Sequence, residues 1–310
     1  MRFVFILIFL VFPYLDTYGI TKVYNLIDKK LVIHTNEPLS SDQKASIKRK
    51  LDKITETLDP YDSDSFVSRF NDLEKNSDVS APDIFVDAYK VMGDFNKITK
   101  GRFNPTSFTL LSKSTKLKKL NYYLKSGVHA RCTSMKNIKI KINNVFSKSQ
   151  ECTRISFDSI IEGITVDNIR NYLLEQGVGA FAIVFGSVVT KFNYELENSE
   201  FIKIPDYLYK KIDFSLINSY SIYLIDDKIR TYNINMKQNE LALRDDLVII
   251  VATDSNSNNN ILANTLNLID IDKLSNTSKL TQKFPLFISF EDENMVNFKY
   301  SEKFADFLLK

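Results

Sequence analysis

An α+β fold is predicted by two patterns that alternate along this chain of 310 residues. Some segments repeat apolar residues every three or four positions, as amphipathic helices do, and others are short apolar runs typical of buried strands. The composition includes 44% hydrophobic residues, 8 glycines and 7 prolines, which indicates a compact globular protein. Strand-like runs with helices between them favour layers of helix and mainly antiparallel sheet.

The predicted elements follow in chain order. Helical spacing of apolar residues predicts helices over Gln43–Leu58 and Ala81–Lys97. Apolar runs predict strands at Lys30–His34, Asn137–Ile142, Ala180–Phe185, Ser221–Ile225, Leu247–Ala252 and Leu286–Phe290. The lysine-rich stretch Lys116–Ser126 places its leucines on one helical face, which favours a solvated surface helix over a nucleic-acid-binding stripe. The net charge of +3 likewise gives no reason to expect nucleic acid as a partner.

The N-terminal segment has the features of an export signal. Arg2 precedes ten apolar residues, FVFILIFLVF, which end before Pro13 and are too few to span a bilayer. We therefore expect a signal peptide over residues 1–19, or an N-terminal membrane tether if it stays uncleaved, followed by one domain over residues 20–310. The expected location is the periplasm or another exported compartment. A lipobox is absent because the two cysteines, Cys132 and Cys152, lie far from this segment.

The two cysteines have two interpretations. In an oxidising compartment they would form a disulfide, helped by the turn-like pair Asn143-Asn144 between them. Alternatively, they are two separate buried thiols.

The stretch from Ser156 to Phe192 predicts a strand end, a turn at Glu162-Gly163, an amphipathic helix and a buried strand. Two turns of polar and small residues, Asp158-Ser159 and Gly186-Ser187, flank this helix and could face a common cleft. At Gly186 the missing side chain would let a ligand approach the backbone. The local pattern alone favours an ordinary strand–helix–strand packing unit.

Four segments resemble, in order, the motifs of one family. DPYDSDSFVSRFN (59–71) resembles an S-x-Y-x-x-x-S-x-x-x-x-x-N element, and GRFNPTSFTLL (101–111) resembles a G-x-F-D-x-T turn. The stretch from Ser156 resembles a D-L-x-x-x-x-[KE]-G-Y-A-x-D element, and LVIIVATDSNSNNNILANTL (247–266) resembles a strand followed by a D-A-L-A-T-A helix start. Together these are similar to the FAD:protein FMN transferase (ApbE) family, from about residue 45 onward.

The resemblance implies two closely packed α/β lobes with mainly antiparallel sheets and a flavin in the cleft between them. It also implies an activity: FAD is cut at its pyrophosphate, and FMN is moved to a Ser or Thr of an acceptor protein carrying a D-x-x-[ST]-G-A-T motif. In the family Mg²⁺ neutralises the phosphates, since it prefers hard oxygen ligands. FAD and Mg²⁺ are therefore the expected cofactors, and a flavin acceptor protein is the expected partner.

The resemblance also selects site residues. The expected flavin-binding residues are Tyr61, Ser65, Asn71, Asn104, Thr106, Ser156, Glu162, Gly163, Asp167 and Gly186. The expected metal ligands are Ser159, Asn260 and Asn264, with Asp158 as a further candidate. Asn260 and Asn264 stand where the family has Asp and Thr, so the metal site is expected to be weakened. The histidine of the family's H-I-x-D-P motif is also missing from the corresponding YNINM (232–236), and no catalytic residue is assigned.

Several of these residues have a second interpretation, and two functions follow. Tyr61 would stack on a flavin or adenine ring, or pack beside Pro60. Asn71 would orient the flavin phosphate or cap a turn, and Asp158 would enter the cleft or bond its own turn. Asp167 would contact flavin or stabilise the first turn of its own helix. The chain is accordingly expected to be an active transferase with an altered metal shell, or a relative that binds flavin or a partner protein without turnover. A scaffold protein without a ligand is a third alternative.

Overall fold

The computed structural model describes residues 19–27, 29–101, 103–108, 131–196, 204–224, 233–235, 240–242, 247–266, 282–292 and 295–309. Its main feature is an eight-stranded sheet in which every neighbouring pair is antiparallel. The strands, in spatial order, are β1 (Ile20–Leu26), β2 (Lys29–Thr35), β6 (Phe181–Phe185), β7 (Val188–Phe192), β8 (Ser219–Leu224), β11 (Leu247–Val251), β12 (Leu286–Asp292) and β13 (Met295–Tyr300).

Two smaller sheets complete the strand inventory of the described residues. A three-stranded antiparallel sheet has β5 (Val145–Lys148) between β3 (Asp78–Ser80) and β4 (Ile138–Lys141). A two-stranded ribbon pairs β9 (Asn233–Asn235) with β10 (Glu240–Ala242).

The helices are held by defined ends and apolar faces. They are α1 (Ser41–Leu58), α2 (Phe66–Asp72), α3 (Asp83–Ile98), α4 (Ile161–Glu175), α5 (Asp206–Tyr209) and α6 (Asn256–Leu266). Helix α1 begins with a capping box, in which Ser40 and Gln43 satisfy each other's backbone N–H groups. Helix α4 ends before Gly177, which has a positive φ.

Alternation along the strands separates the core into layers. Leu31 and Ile33 of β2 face α1 and α4, whereas Val32 between them faces the opposite side of the sheet. Helices α2, α3 and α6 enclose a third cluster rich in phenylalanine, including Phe70 and Phe85. The contact between α4 and α6 therefore lies over the middle of the large sheet, where the site residues are found.

The α+β prediction is confirmed, and each strand and helix given bounds by the sequence is present, with described ends that differ by at most two residues. The turn predicted at Glu162-Gly163 is wrong, because both residues lie in the first turn of α4, which begins at Ile161. The sequence analysis did not predict helices α2 and α5 or strands β1, β3, β5, β7, β9, β10 and β13. The disulfide alternative is confirmed: Cys132 and Cys152 are bonded, with their Cα atoms 5.5 Å apart. Within the described ranges, no helix is both long and apolar enough to cross a membrane. The N-terminal apolar run and the Lys116–Ser126 stretch lie outside the described residues.

Candidate functional site: a polar cluster at the start of helix α4

Three segments far apart in sequence meet at Glu162, in the first turn of α4. The Glu162 carboxylate is buried and accepts hydrogen bonds from the Ser187 backbone N–H at 2.9 Å and the Ser187 hydroxyl at 2.8 Å. It also forms an ion pair with Lys29, the first residue of β2. Burying a carboxylate is costly unless it is paired and hydrogen-bonded, and here both conditions are met.

Gly186 permits this arrangement. It lies in the β6–β7 turn with φ +56°, and a Cβ atom there would overlap the Glu162 carboxylate. In this structure the group that approaches the Gly186 backbone is thus a side chain of the protein, the Glu162 carboxylate.

Lys29 is a site residue that sequence reasoning missed. It follows the turn between β1 and β2, and no local pattern distinguishes it from the neighbouring Lys30. Its ion-pair partner Glu162 is 133 positions away, so only the pairing of β2 with β6 brings the two together.

Asp167 caps the neighbouring helix α6. Its two carboxylate oxygens accept from the backbone N–H groups of Asn256 and Ser257, both at 2.9 Å, and from the side chains of the same residues at 2.9 and 2.6 Å. A negative charge at this end also interacts favourably with the helix dipole. The structure thus gives Asp167 a role that neither sequence-based alternative described, because its four hydrogen bonds all go to the start of α6.

Gly163 allows α4 and α6 to approach closely. A Cβ atom on Gly163 would overlap the Asn256 carbonyl oxygen and the Ser257 backbone. The glycine therefore serves helix packing, and it fixes the position of the α6 residues that follow.

The three expected metal ligands, Ser159, Asn260 and Asn264, do lie together. Their side chains are, however, not arranged to direct oxygen atoms at a magnesium ion. The Asn264 Nδ2 donates to the Ser159 carbonyl at 3.3 Å and to the Asn260 carbonyl at 2.8 Å. The Asn260 Oδ1 accepts from the Gly163 N–H at 3.3 Å. An amide N–H thus lies against the carbonyl oxygens that a hard cation would need. Among the described residues, no group of three His, Cys, Asp or Glu side chains could hold a metal ion.

Tyr61 and Asp158 form a pair at the rim of this cluster. The Tyr61 hydroxyl donates to the Asp158 carboxylate at 3.0 Å, and the Asp158 N–H donates to the Ser156 hydroxyl at 3.1 Å. Asp158 is solvent-exposed, yet the protein around it raises its pKa by desolvation, against the opposing effect of hydrogen bonds from Ser156 and Tyr61. A carboxylate that keeps some contact with solvent but is surrounded on its other sides by protein, as Asp158 is, is expected to show both properties.

Ser65 and Asn71 position the segments that carry this pair. Ser65 caps α2 and donates to the Asp59 carbonyl at 2.6 Å, which shapes the turn holding Tyr61. The buried Asn71 amide donates to the Ile155 carbonyl at 2.9 Å and accepts from the Ile155 N–H at 2.7 Å. Both polar atoms of the Asn71 side chain thus bond to the backbone of Ile155, and they join α2 to the segment that leads to Ser156.

Asn104, Thr106 and Ser156 belong to an adjoining buried corner. The Asn104 Oδ1 accepts from the Thr106 N–H at 3.0 Å and hydroxyl at 2.6 Å, while its Nδ2 donates to the Thr133 carbonyl at 2.7 Å. Because Thr133 follows Cys132, the disulfide fixes this corner to the segment leading to Ser156.

A buried lysine lies behind the same segment. The Lys148 ammonium donates to the Asn71 carbonyl at 2.7 Å and the Glu151 carbonyl at 3.1 Å. Burial lowers the pKa of Lys148 to about 8, with a contribution from Arg154, while Asp72 and Glu151 oppose the change.

The fold is that of solved flavin transferases. It matches the flavin transferase ApbE from Vibrio cholerae with a TM-score of 0.75, 16% identity, and coverage of 94% of this chain and 99% of that chain. It matches the apo form of the Pseudomonas stutzeri flavinyl transferase ApbE with a TM-score of 0.71, 13% identity, and coverage of 93% and 97%. At these identities the likeness shows the fold alone.

The sequence shows the family. The model of the ApbE family matches residues 19–201, and the chain belongs to that family. A curated relative, the FAD:protein FMN transferase of Buchnera aphidicola subsp. Schizaphis graminum, is 26% identical over 166 residues. That match covers 51% of this chain and 49% of the relative, so it spans about half the length of each protein.

Proposed function

We propose that this protein binds FAD beside the start of α4 and the facing residues Asn260 and Asn264 of α6, and that it transfers the FMN part to a Ser or Thr of an acceptor protein. The observation that carries the proposal is the meeting of three motif segments at one place. The turn before α4 contacts α6 through Ser159 and Asn264, Gly163 contacts Asn260, and Tyr61 reaches the same turn through Asp158. Family membership and the activity named for the curated relative support the same proposal.

The reaction is a phosphoryl transfer. The acceptor hydroxyl oxygen forms a bond to the FMN phosphorus, the P–O bond of the pyrophosphate breaks, AMP leaves, and the hydroxyl proton passes to solvent. The protein mainly has to position the two reactants and exclude alternatives. The exposed Tyr61 ring offers an aromatic face for a flavin or adenine ring.

The proposal is tested by incubating the protein with FAD and an acceptor domain that carries a D-x-x-[ST]-G-A-T motif. The expected result is flavin fluorescence on the acceptor band in a denaturing gel, with AMP released in equal amount. An acceptor whose motif Ser or Thr is changed to Ala is the matched control. Failure of FAD to bind, measured by calorimetry, would overturn the proposal.

Flavin binding without transfer is a second candidate, favoured by the amides at Asn260 and Asn264. Removing a preorganised charged contact at a transferring phosphate costs about 3–4 kcal/mol at the transition state, a factor of roughly 100 to 1,000 in rate. Under this candidate the protein binds FAD but labels no acceptor, and Asn260→Asp combined with Asn264→Thr restores labelling. Vigorous labelling by the unchanged protein would exclude it.

We further propose that the protein acts after export. The apolar N-terminal run and the Cys132–Cys152 disulfide both support an oxidising compartment. Cell fractionation with non-reducing mass spectrometry tests this; a cytoplasmic protein with two free thiols would contradict it.

A further inference from the structure

We propose that Asp158 is a positioning residue, which holds the Tyr61 ring in a fixed orientation for stacking on the bound flavin dinucleotide. The proposal rests on the proposed function, because it concerns the same site. It differs from the metal-ligand role that the sequence suggested for Asp158.

Tyr61 is an exposed aromatic ring held at several points. The residue is 72% exposed, and a tyrosine this exposed would rotate freely in solvent if nothing restrained it. The ring lies edge-on to Phe108, with 6.0 Å between centroids, and the hydroxyl is fixed by Asp158. The backbone is fixed as well, because the Tyr61 N–H donates to the Asp59 carboxylate at 2.9 Å.

Asp158 is itself held by rigid structure. Its N–H is bonded to Ser156, and the preceding residue Phe157 is fully buried in the phenylalanine-rich cluster. The next residues, Ser159 and Ile160, lead directly into α4. The Asp158 carboxylate is thus a rigid hydrogen-bond acceptor. It fixes the Tyr61 ring, which lies 97 positions earlier in the sequence.

In this pair the Tyr61 phenol is the hydrogen-bond donor and the Asp158 carboxylate is the acceptor. The surrounding protein and the Asp158 carboxylate raise the pKa of the Tyr61 phenol, so the phenol stays protonated and remains a hydrogen-bond donor. A carboxylate accepts this bond more strongly than a neutral oxygen does. Fixing the ring before binding reduces the ordering cost that binding would otherwise carry.

The position of the pair relates it to the site and not merely to stability. Asp158 directly precedes Ser159, whose carbonyl accepts from Asn264 of α6, so the Tyr61 hydroxyl is bonded to the turn that contacts α6. Because both side chains are solvent-exposed, their hydrogen bond contributes little to folding.

The test is a double-mutant cycle on FAD affinity, measured by calorimetry in EDTA and again with Mg²⁺. Tyr61→Phe keeps the ring and removes the donor, and Asp158→Ala removes the acceptor. Each is expected to raise Kd about 3- to 10-fold, and the double variant is expected to raise it no further. Asp158→Asn retains a carbonyl acceptor and is expected to stay within about twofold of the unchanged protein.

Three further measurements make the cycle decisive. Tyr61→Leu should raise Kd by roughly tenfold or more through lost stacking. Asp64→Ala, which removes a charge from the same loop, should leave Kd unchanged. The quenching of flavin fluorescence on binding should weaken in Tyr61→Phe and Asp158→Ala alike, while their melting temperatures stay unchanged.

Each outcome decides the question. Additive effects of Tyr61→Phe and Asp158→Ala would overturn the proposal, since independent residues do not share one hydrogen bond. An Asp158→Asn loss seen only with Mg²⁺, with Tyr61→Phe silent, would show that Asp158 is a metal ligand instead. FAD that fails to bind the unchanged protein would refute the proposed function itself.

Discussion

The substitution Asp167→Ala is expected to destabilise the protein more than removal of any surface carboxylate. Asp167 accepts four hydrogen bonds from Asn256 and Ser257 at the start of α6, and both of these residues are buried. Loss of a helix cap costs about 0.5–2 kcal/mol, and a buried donor left unsatisfied costs about 1–3 kcal/mol. Since these effects overlap, we expect the free energy of unfolding to fall by about 3–4 kcal/mol.

Urea unfolding followed by far-ultraviolet circular dichroism measures this change, with the slope of the transition checked for constancy. Asp167→Asn retains one acceptor oxygen and should lose about half as much. Asp87→Ala is the matched control, because Asp87 is exposed and makes only a surface ion pair with Lys90; it should change stability by less than about 0.5 kcal/mol. If Asp167→Ala unfolds within about 1 kcal/mol of the unchanged protein, water must reach the end of α6, and our account of this cap is wrong.

Three further predictions follow from the described contacts. Gly186→Ala should lower the free energy of unfolding by more than about 2 kcal/mol, because the added Cβ strains the backbone and displaces Glu162. Gly177 also has a positive φ but has open space around it, so Gly177→Ala should lower the free energy of unfolding by only about 1 kcal/mol. Urea unfolding of the two variants tests this difference. The pKa of Lys148 is lowered to about 8 in the folded protein, so above that pH the unfolded state binds more protons than the folded state does. As the pH rises from 8 to 10, the unchanged protein should therefore gain stability relative to Lys148→Met, by up to about 1.4 kcal/mol per pH unit. Equal pH profiles of unfolding free energy for the two proteins would contradict this. Replacing both Cys132 and Cys152 by Ser should cost about 3 kcal/mol by the chain-entropy model, and a melting temperature unchanged by reductant would argue against it.

The sequence predicted local elements well because their signals are local. Helical spacing located α1 and α3, and apolar runs located the central strands, since each pattern is complete within one segment. Asp167 was expected to act on its own helix or on a ligand, because sequence displays only neighbours along the chain, whereas its partners lie about 90 positions away.

The candidate site was predicted in outline for the same reason. Family motifs located Glu162, Asn260 and Asn264 correctly beside one another. The direction of each amide and the identity of the group that faces Gly186 depend on side-chain packing, which no spacing in the sequence encodes. Lys29 carried no signal, because its role arises only when β2 and β6 pair.

The order of strands in the large sheet has a consequence for how the chain folds. The β1 and β2 segments are synthesised before the rest of the sheet, but β2 pairs with β6, where Leu31 lies opposite Phe185 about 150 residues later. Contacts of such long range make folding slow, on the scale of milliseconds to seconds, because a large loop must close before they form. Until that closure the first hairpin presents an unpaired edge, which is a site for pairing with a second chain. Fragments that end before β6 should therefore aggregate, whereas the full chain covers this edge as soon as α4 docks and brings β6 into register.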